Sequence, residues 1–103
     1  MWYSASLFYR ADHLSQGKDP LWLESICLFQ APSEQVAREA AERYGRSEEH
    51  SYEVSKGDVV TWRFVRVERI YTVELDGLDA GGEVFSRFLR DAEAKSLLAP
   101  LEP

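Results

Sequence analysis

Residues 59–75, VVTWRFVRVERIYTVEL, constrain the fold of this chain more than any other stretch. Most of them are β-branched or aromatic and none is glycine or proline, which is the composition of a long strand in the middle of a sheet. Strict alternation would place apolar side chains on both of its faces, so we expect both faces to be covered over part of the strand. Arg66, Glu68 and Arg69 interrupt the alternation and predict a bulge or a strong bend.

Two more strands are predicted before the middle of the chain. Residues 2–11 are rich in aromatic side chains and alternate, and residues 21–31 are an almost continuous apolar run that is typical of an interior strand. Residues 12–20 between them are mostly loop-forming and end in Asp-Pro. Because this connection is of moderate length, we expect the two strands to pair as an antiparallel hairpin.

A helix is predicted over residues 33–46. Ser33 is a favourable N-cap, Glu34 places a carboxylate in the first turn, and Gly45 lies where the helix is expected to stop. The apolar positions recur at helical spacing, and several of them are alanine. Since alanine side chains are small, we expect this helix to lie close to the sheet.

The remaining segments predict a second hairpin and a short C-terminal region. Residues 50–54 form a predicted strand, which a turn at residues 55–58 joins to the long strand. Residues 83–90 alternate between apolar and polar side chains and predict a short last strand. Residues 91–98 have helical propensity and predict a terminal helix, with a frayed tail as the alternative.

The order of these elements predicts an α+β fold, with a single mainly antiparallel sheet of four or five strands and one helix packed on one face. We expect residues 1–90 to form one domain and residues 91–103 to form a C-terminal helix or a frayed tail. One helix cannot cover a sheet of this size. The other face should therefore be solvated, curled on itself or covered by a partner chain.

Composition argues against several classes of protein. The net charge of -6 disfavours nucleic-acid binding, which needs clustered lysine and arginine. The single cysteine, Cys27, excludes an intramolecular disulfide and a metal cluster built from thiolates. The N-terminal residues do not resemble a signal peptide, and no apolar run approaches the length of a membrane span, about 20 residues. We expect a soluble, cytoplasmic protein that binds neither nucleic acid nor membrane.

No catalytic constellation is evident in the sequence. His13 lies in a polar segment and His50 at a strand start, and neither accompanies a serine in a sharp glycine-flanked turn. Metal-ligating residues do not cluster at ligand spacing, and Gly81-Gly82 lacks the lysine and hydroxyl residue of a phosphate-binding loop. We therefore expect a protein that is not an enzyme and uses neither a cofactor nor a metal.

The most suggestive residues are arginines on the long strand and in the C-terminal region, together with a carboxylate and aromatic side chains. Such combinations are typical of binding surfaces. The alternative is ordinary cross-strand ion pairing on a solvated face. The candidate binding residues are Trp22, Glu24, Arg63, Arg66, Arg69, Tyr71 and Arg87.

Several motifs carry a resemblance to a known family. They include WYSA at residues 2–5, TWRFVRV at residues 61–67 and GEVFSRF at residues 82–88. On these motifs the chain resembles a family of small, stand-alone bacterial proteins known only as a domain of unknown function, over roughly residues 2–90. The resemblance implies a bacterial, cytoplasmic, single-domain protein. It implies no activity, cofactor or catalytic residue.

The leading hypothesis is a non-enzymatic protein-interaction module, either a homodimer or a binder of another protein, that uses the uncovered sheet face or an edge strand. Small acidic bacterial immunity proteins, which plug the basic active site of a toxin, supply an analogy. The alternative is a small-ligand binding protein or minor enzyme with a pocket between the sheet and the C-terminal segment, anchored by Glu24, Arg63 and Arg87. Binding of single-stranded nucleic acid ranks third.

Overall fold

The computed structural model describes residues 1–13, 20–74 and 81–99, and it confirms the predicted α+β class. Four strands form one sheet in the order β2-β1-β4-β3, and every neighbouring pair is antiparallel. None of the described helices has the length and apolar character needed to cross a membrane. The elements are β1 (Trp2–His13), β2 (Trp22–Gln30), α1 (Glu34–Ser47), β3 (His50–Ser55), β4 (Asp58–Val73) and α2 (Asp91–Leu98).

Strand β1 lies inside the sheet between β2 and β4. It begins at the predicted residue and ends two residues later than expected, at His13. Its antiparallel pairing with β2 confirms the predicted hairpin and runs from Trp2 opposite Gln30 to Arg10 opposite Trp22. Because strands flank it on both sides and other segments cover both of its faces, most of its side chains are buried. The core is therefore centred on β1.

Strand β2 is an edge strand, so the expectation that it would be interior is wrong. Among the described residues, only β1 pairs with it. An almost continuous apolar run shows that both faces of a strand favour apolar surroundings, but it does not show whether a second strand lies alongside. As a result, Trp22, Leu23, Ile26 and Leu28 remain exposed.

Helix α1 begins as predicted, with the Ser33 hydroxyl oxygen accepting a hydrogen bond of 3.2 Å from the backbone N–H of Val36. Ala37, Ala41 and Gly45 are its buried residues. A Cβ at Gly45 would approach the Phe64 ring to 2.5 Å, so only glycine fits at this contact without movement of the ring. The expectation of a close helix–sheet approach is confirmed, and we call the sheet face under α1 the helix face.

Strand β4 is an interior strand, as predicted, and it has two irregularities where one bulge or bend was expected. Its register with β1 shifts between Ser6 and Leu7, where Glu68 has no residue opposite it in β1. It shifts again between Phe8 and Tyr9, where Val65 has no residue opposite it. Each extra residue reverses the alternation of the strand. The helix face of β4 therefore carries Val60, Trp62, Phe64, Val67 and Ile70, and the opposite face, which we call the open face, carries Arg63, Arg66, Arg69 and Tyr71.

Residues 83–90 do not form the predicted strand. They belong to a segment without regular secondary structure, residues 82–90, that crosses the open face and that we call the crossing segment. Glu83, Phe85 and Arg87 contact side chains of the sheet. Ser86 is a further hydrogen-bond partner of Tyr71, whereas Val84 and Phe88 are exposed. The segment is therefore held by side-chain contacts and not by pairing with a strand edge.

The other two predictions for this half of the chain are confirmed. Strand β3 pairs with β4 through a turn in which Gly57 has a φ of 82°, a conformation that glycine adopts without strain. Helix α2 follows the crossing segment, and the Arg90 backbone N–H donates a 3.0 Å hydrogen bond to the Glu93 carboxylate. None of the residues of α2 is buried.

Candidate functional site

All seven predicted binding residues belong to the open face. Strand partners in an antiparallel pair point their side chains to the same side of the sheet, so the register assigns each residue to a face. Through β1, the register places residues 22 and 24 of β2 and residues 63, 66, 69 and 71 of β4 on the open face. Arg87 joins them from the crossing segment. The two bulges make this possible, because they bring arginines that are three residues apart onto one side.

Glu24 joins β1, β2 and the crossing segment on this face. Its Oε2 accepts a 2.5 Å hydrogen bond from the Ser6 hydroxyl, and its Oε1 lies 3.4 Å from Arg87 Nη1. Nearby, the Tyr71 hydroxyl donates a 2.6 Å hydrogen bond to Glu83, and this bond raises the pKa of Tyr71. These contacts attach the crossing segment to β2 at one side and to β4 at the other.

The arginines of β4 take part in separate interactions. Arg63 Nε lies 2.9 Å from an Asp12 carboxylate oxygen, and Arg10 Nε lies 2.9 Å from the other oxygen. The hydrogen bonds from Arg10 and Arg63 lower the pKa of Asp12. Arg69 is 3.5 Å from Glu68 and lies over the Phe85 ring. Arg63 and Arg69 thus form surface ion pairs, which contribute little to stability.

A pocket of about 360 Å³ lies where the predicted ligand site was expected, between the sheet and the crossing segment. Of the three proposed anchors, Arg87 lines it, whereas Glu24 and Arg63 do not. Glu24 contacts Arg87, but Arg63 is held by Asp12. The expected convergence of the three anchors is therefore only partial. The lining residues are Arg69, Ile70, Tyr71, Ser86, Arg87 and Phe88.

An apolar surface along β2 is the feature that the sequence interpretation missed. We call this surface the β2 edge patch, and it consists of the exposed side chains of Leu21, Trp22, Ile26 and Leu28. The apolar run of β2 was the signal for it, but that run was interpreted as the sign of an interior strand.

A second pocket, of about 380 Å³, opens on the helix face beyond the C-terminal end of α1. It exists because α1 ends at Ser47 and leaves this end of the sheet uncovered. The residues come from all four strands and from the end of α1, so no local sequence motif could have revealed them. We call it the tyrosine pocket, and it is lined by Tyr9, Leu23, Ser25, Tyr44, Glu48, His50 and Trp62.

The tyrosine pocket has a negative electrostatic environment. Burial, reinforced by Cys27, Tyr44, Glu48 and Glu49, raises the pKa of Tyr9 to about 12. A hydrogen bond to Glu48 and the charge of that carboxylate raise the pKa of Tyr44. Neutral phenol groups are thus favoured over phenolates at both positions.

One family model matches most of the chain. The family model described as Domain of unknown function (DUF4288) matches residues 2–86. The chain belongs to this family. The DUF4288 match confirms the resemblance inferred from the sequence and spans all four strands, α1 and part of the crossing segment, whereas α2 lies outside it. No curated protein and no solved structure matches the chain.

Proposed function

We propose that this DUF4288 protein is a non-enzymatic protein-interaction module that forms a homodimer through the edge of β2. In the dimer, β2 of one protomer pairs antiparallel with β2 of its partner, and the β2 edge patches of both protomers are covered. The observation that carries the proposal is an exposed apolar edge strand of nine residues. The resemblance adds the expectation of a bacterial, cytoplasmic protein.

The unprotected edge is the first argument. Monomeric proteins keep sheet edges from pairing by means of short strands, bulges, prolines or charged side chains. Strand β2 has no proline or lysine, and its register with β1 shows no shift. The other edge strand, β3, has six residues, and its register with β4 is shifted near Ser55. By these criteria β2 is the edge suited to pairing.

Charge is the second argument. Because the chain carries a net charge of -6, two copies repel each other at long range, so a suitable interface must not bring unpaired carboxylates together. Glu24 is the one charged residue of β2, and Arg87 lies against it. Pairing of two β2 strands therefore brings no uncompensated carboxylates together. A two-fold axis near Ile26, the middle residue of β2, makes the surface self-complementary.

Shape is the third argument. The radius of gyration is 16.7 Å, whereas a compact domain of about 100 residues has a value of about 13 Å. The excess reflects an extended molecule that leaves apolar side chains in solvent, among them Phe88, Leu97 and Leu98. A stable interface buries about 1,600 Å² in total. We expect Trp22 to supply area beyond that of the paired strands.

Light scattering across a dilution series tests the homodimer. We expect the wild-type protein to have twice the chain mass of 11.8 kDa, and the variant with Ile26→Lys and Leu28→Lys to be a folded monomer. Both substitutions are at exposed positions, so circular dichroism should be unchanged. The matched control, with Tyr52→Lys and Val54→Lys on β3, should remain a dimer.

A wild-type monomer at about 100 µM, well above the Kd of an ordinary stable dimer, would reject the proposal. The β2 edge patch would then be available to a different protein, as in an immunity-like role.

A small-ligand site in the 360 Å³ pocket beside the crossing segment is the second candidate. Its support is a cavity of suitable size with Arg69, Tyr71 and Arg87 in its wall. It ranks lower because both guanidinium groups already lie against carboxylates, those of Glu68 and Glu24. A ligand would have to replace those ion pairs.

A further inference from the structure

We propose that the tyrosine pocket binds a small alkylammonium cation, a group of about the size of the choline head. This inference is separate from the homodimer, because the pocket opens on the helix face whereas dimerisation uses the outer edge of β2. The inference rests on the lining of the pocket. Three aromatic rings and one carboxylate surround the cavity, and this is the composition of a cation-binding site.

The aromatic walls come from Tyr9, Tyr44 and Trp62. The face of an aromatic ring carries negative charge density and attracts an alkylated ammonium group, most strongly for tryptophan. All three rings line the one cavity, and we expect a bound cation to contact their faces. Alkyl groups on the nitrogen add apolar contact with the rings and with Leu23, which also lines the pocket.

The three rings are held in place by contacts outside the pocket. Tyr9 packs edge-to-face on Phe64, with ring centroids 5.7 Å apart, and Tyr44 packs similarly on Phe29, at 5.8 Å. The Trp62 indole N–H donates a 3.2 Å hydrogen bond to the Tyr52 hydroxyl. A cavity whose walls are already fixed loses less conformational entropy when a ligand enters.

Charge determines which ligand class fits. Glu48 lines the pocket, and its carboxylate and that of Glu49 both act on Tyr9. No lysine or arginine is among the lining residues that the structure describes. Arg46 lies nearby, over the Phe64 ring. An anionic ligand would therefore meet carboxylates without a facing cation, whereas an ammonium group meets complementary charge.

Size is consistent with the same class of ligand. The cavity of about 380 Å³ is at the small end of the usual range for ligand pockets, about 300–1,000 Å³. His50 and Ser25 supply polar groups at its border, and the His50 ring is held by its stack on Tyr52. A hydroxyl group at the far end of the ligand would find hydrogen-bonding partners there.

Nuclear magnetic resonance titration of the full chain tests the proposal, with choline and its neutral isostere 3,3-dimethylbutan-1-ol as probes. We expect choline to shift the Trp62 indole and Ser25 amide resonances in a saturable manner. The neutral isostere should bind at least about tenfold more weakly, because it lacks the cation–π and carboxylate attraction. Equal affinity for the two probes, or no shift at about 50 mM choline, would overturn the proposal.

Two variants connect binding to the pocket. Glu48→Gln and Tyr44→Leu should each weaken choline binding about fivefold, and both positions are exposed, so the fold should be retained. Glu39→Gln is the matched control, because it removes the same charge from α1 about 13 Å along the helix axis. Equal weakening by Glu48→Gln and Glu39→Gln would show a general charge effect and reject the site.

Discussion

Tyr9 lies at the boundary between the packed core and the tyrosine pocket. Its side chain is 4% exposed and packs on Phe64, yet the residue also lines the pocket. Burial and the surrounding negative groups favour the neutral hydroxyl, which is why the pKa of Tyr9 is raised to about 12. The raised pKa connects stability to pH, and the direction of this effect follows from linkage.

Stability should fall between pH 10 and pH 12 because of Tyr9. An unfolded chain loses this proton near the ordinary value of 10.0, whereas the folded chain keeps it to about 12, so rising pH favours the unfolded state in this window. The loss is at most about 3 kcal/mol, and less because Tyr9 borders an open pocket. Urea unfolding of the wild type and of Tyr9→Phe measures it. The variant should show a smaller decrease, and parallel pH profiles would contradict the prediction.

The open-face residues show what a sequence reveals at this scale. The seven candidate residues were selected by type, and the structure places all of them on the open face. Their partners were not predicted: Asp12 for Arg63, Glu83 for Tyr71 and the Ser6 hydroxyl for Glu24. The contact between Glu83 and Tyr71 depends on where the crossing segment lies, and nothing local in the sequence determines that path. Whether the residues form a binding site is still a prediction.

At the scale of elements, the contact between α1 and β4 depends on Gly45. A Cβ there would lie 2.5 Å from Phe64, whose ring is held between Tyr9 and Arg46. The bulge at Val65 contributes to this contact, because it puts both Phe64 and Val67 on the helix face. Helix, bulge and ring position are therefore interdependent.

Gly45→Ala should destabilise the protein by about 1–2 kcal/mol, although alanine favours a helix by about 1 kcal/mol over glycine. The reason is that the added methyl group must displace the Phe64 ring. In the Phe64→Leu background the same change should be neutral or stabilising, since the obstructing ring is absent. Urea denaturation of the four proteins measures this coupling. Stabilisation by Gly45→Ala in the wild type would show that the ring moves without cost.

Two elements show the limit of prediction from patterns. The pattern of β2 correctly indicated a strand that pairs with β1, but β2 lies at the edge of the sheet and not inside it, and residues 83–90 form no strand. Side-chain patterns record which faces are covered, whereas strand pairing depends on backbone hydrogen bonds that any residue except proline can make. Helix α1 and one bulge in β4 were predictable, because Ser33 and the polar interruption at residues 66–69 are local signals. The second bulge, at Val65, lies outside that interruption.

At the scale of the whole molecule, the sheet order gives the strands unequal protection. Strand β1 is paired on both sides and buried, β2 and β3 are paired on one side, and α2 has no buried residue. Backbone amides exchange with solvent through local or global opening, and the most enclosed elements open last. The free energy of opening should therefore decrease from β1 outwards.

Hydrogen exchange measured at two protein concentrations tests this order together with the homodimer. Amides of β1 should be the slowest in every sample, and those of α2 among the fastest. Because pairing between protomers satisfies the outward amides of β2, their protection should increase with concentration, whereas that of the outward amides of β3 should stay constant. The Ile26→Lys and Leu28→Lys variant should lose the concentration dependence and keep the slow exchange of β1. If β2 and β3 responded alike to concentration, the two edges would be equivalent, and the unprotected edge of β2 would not be the interface.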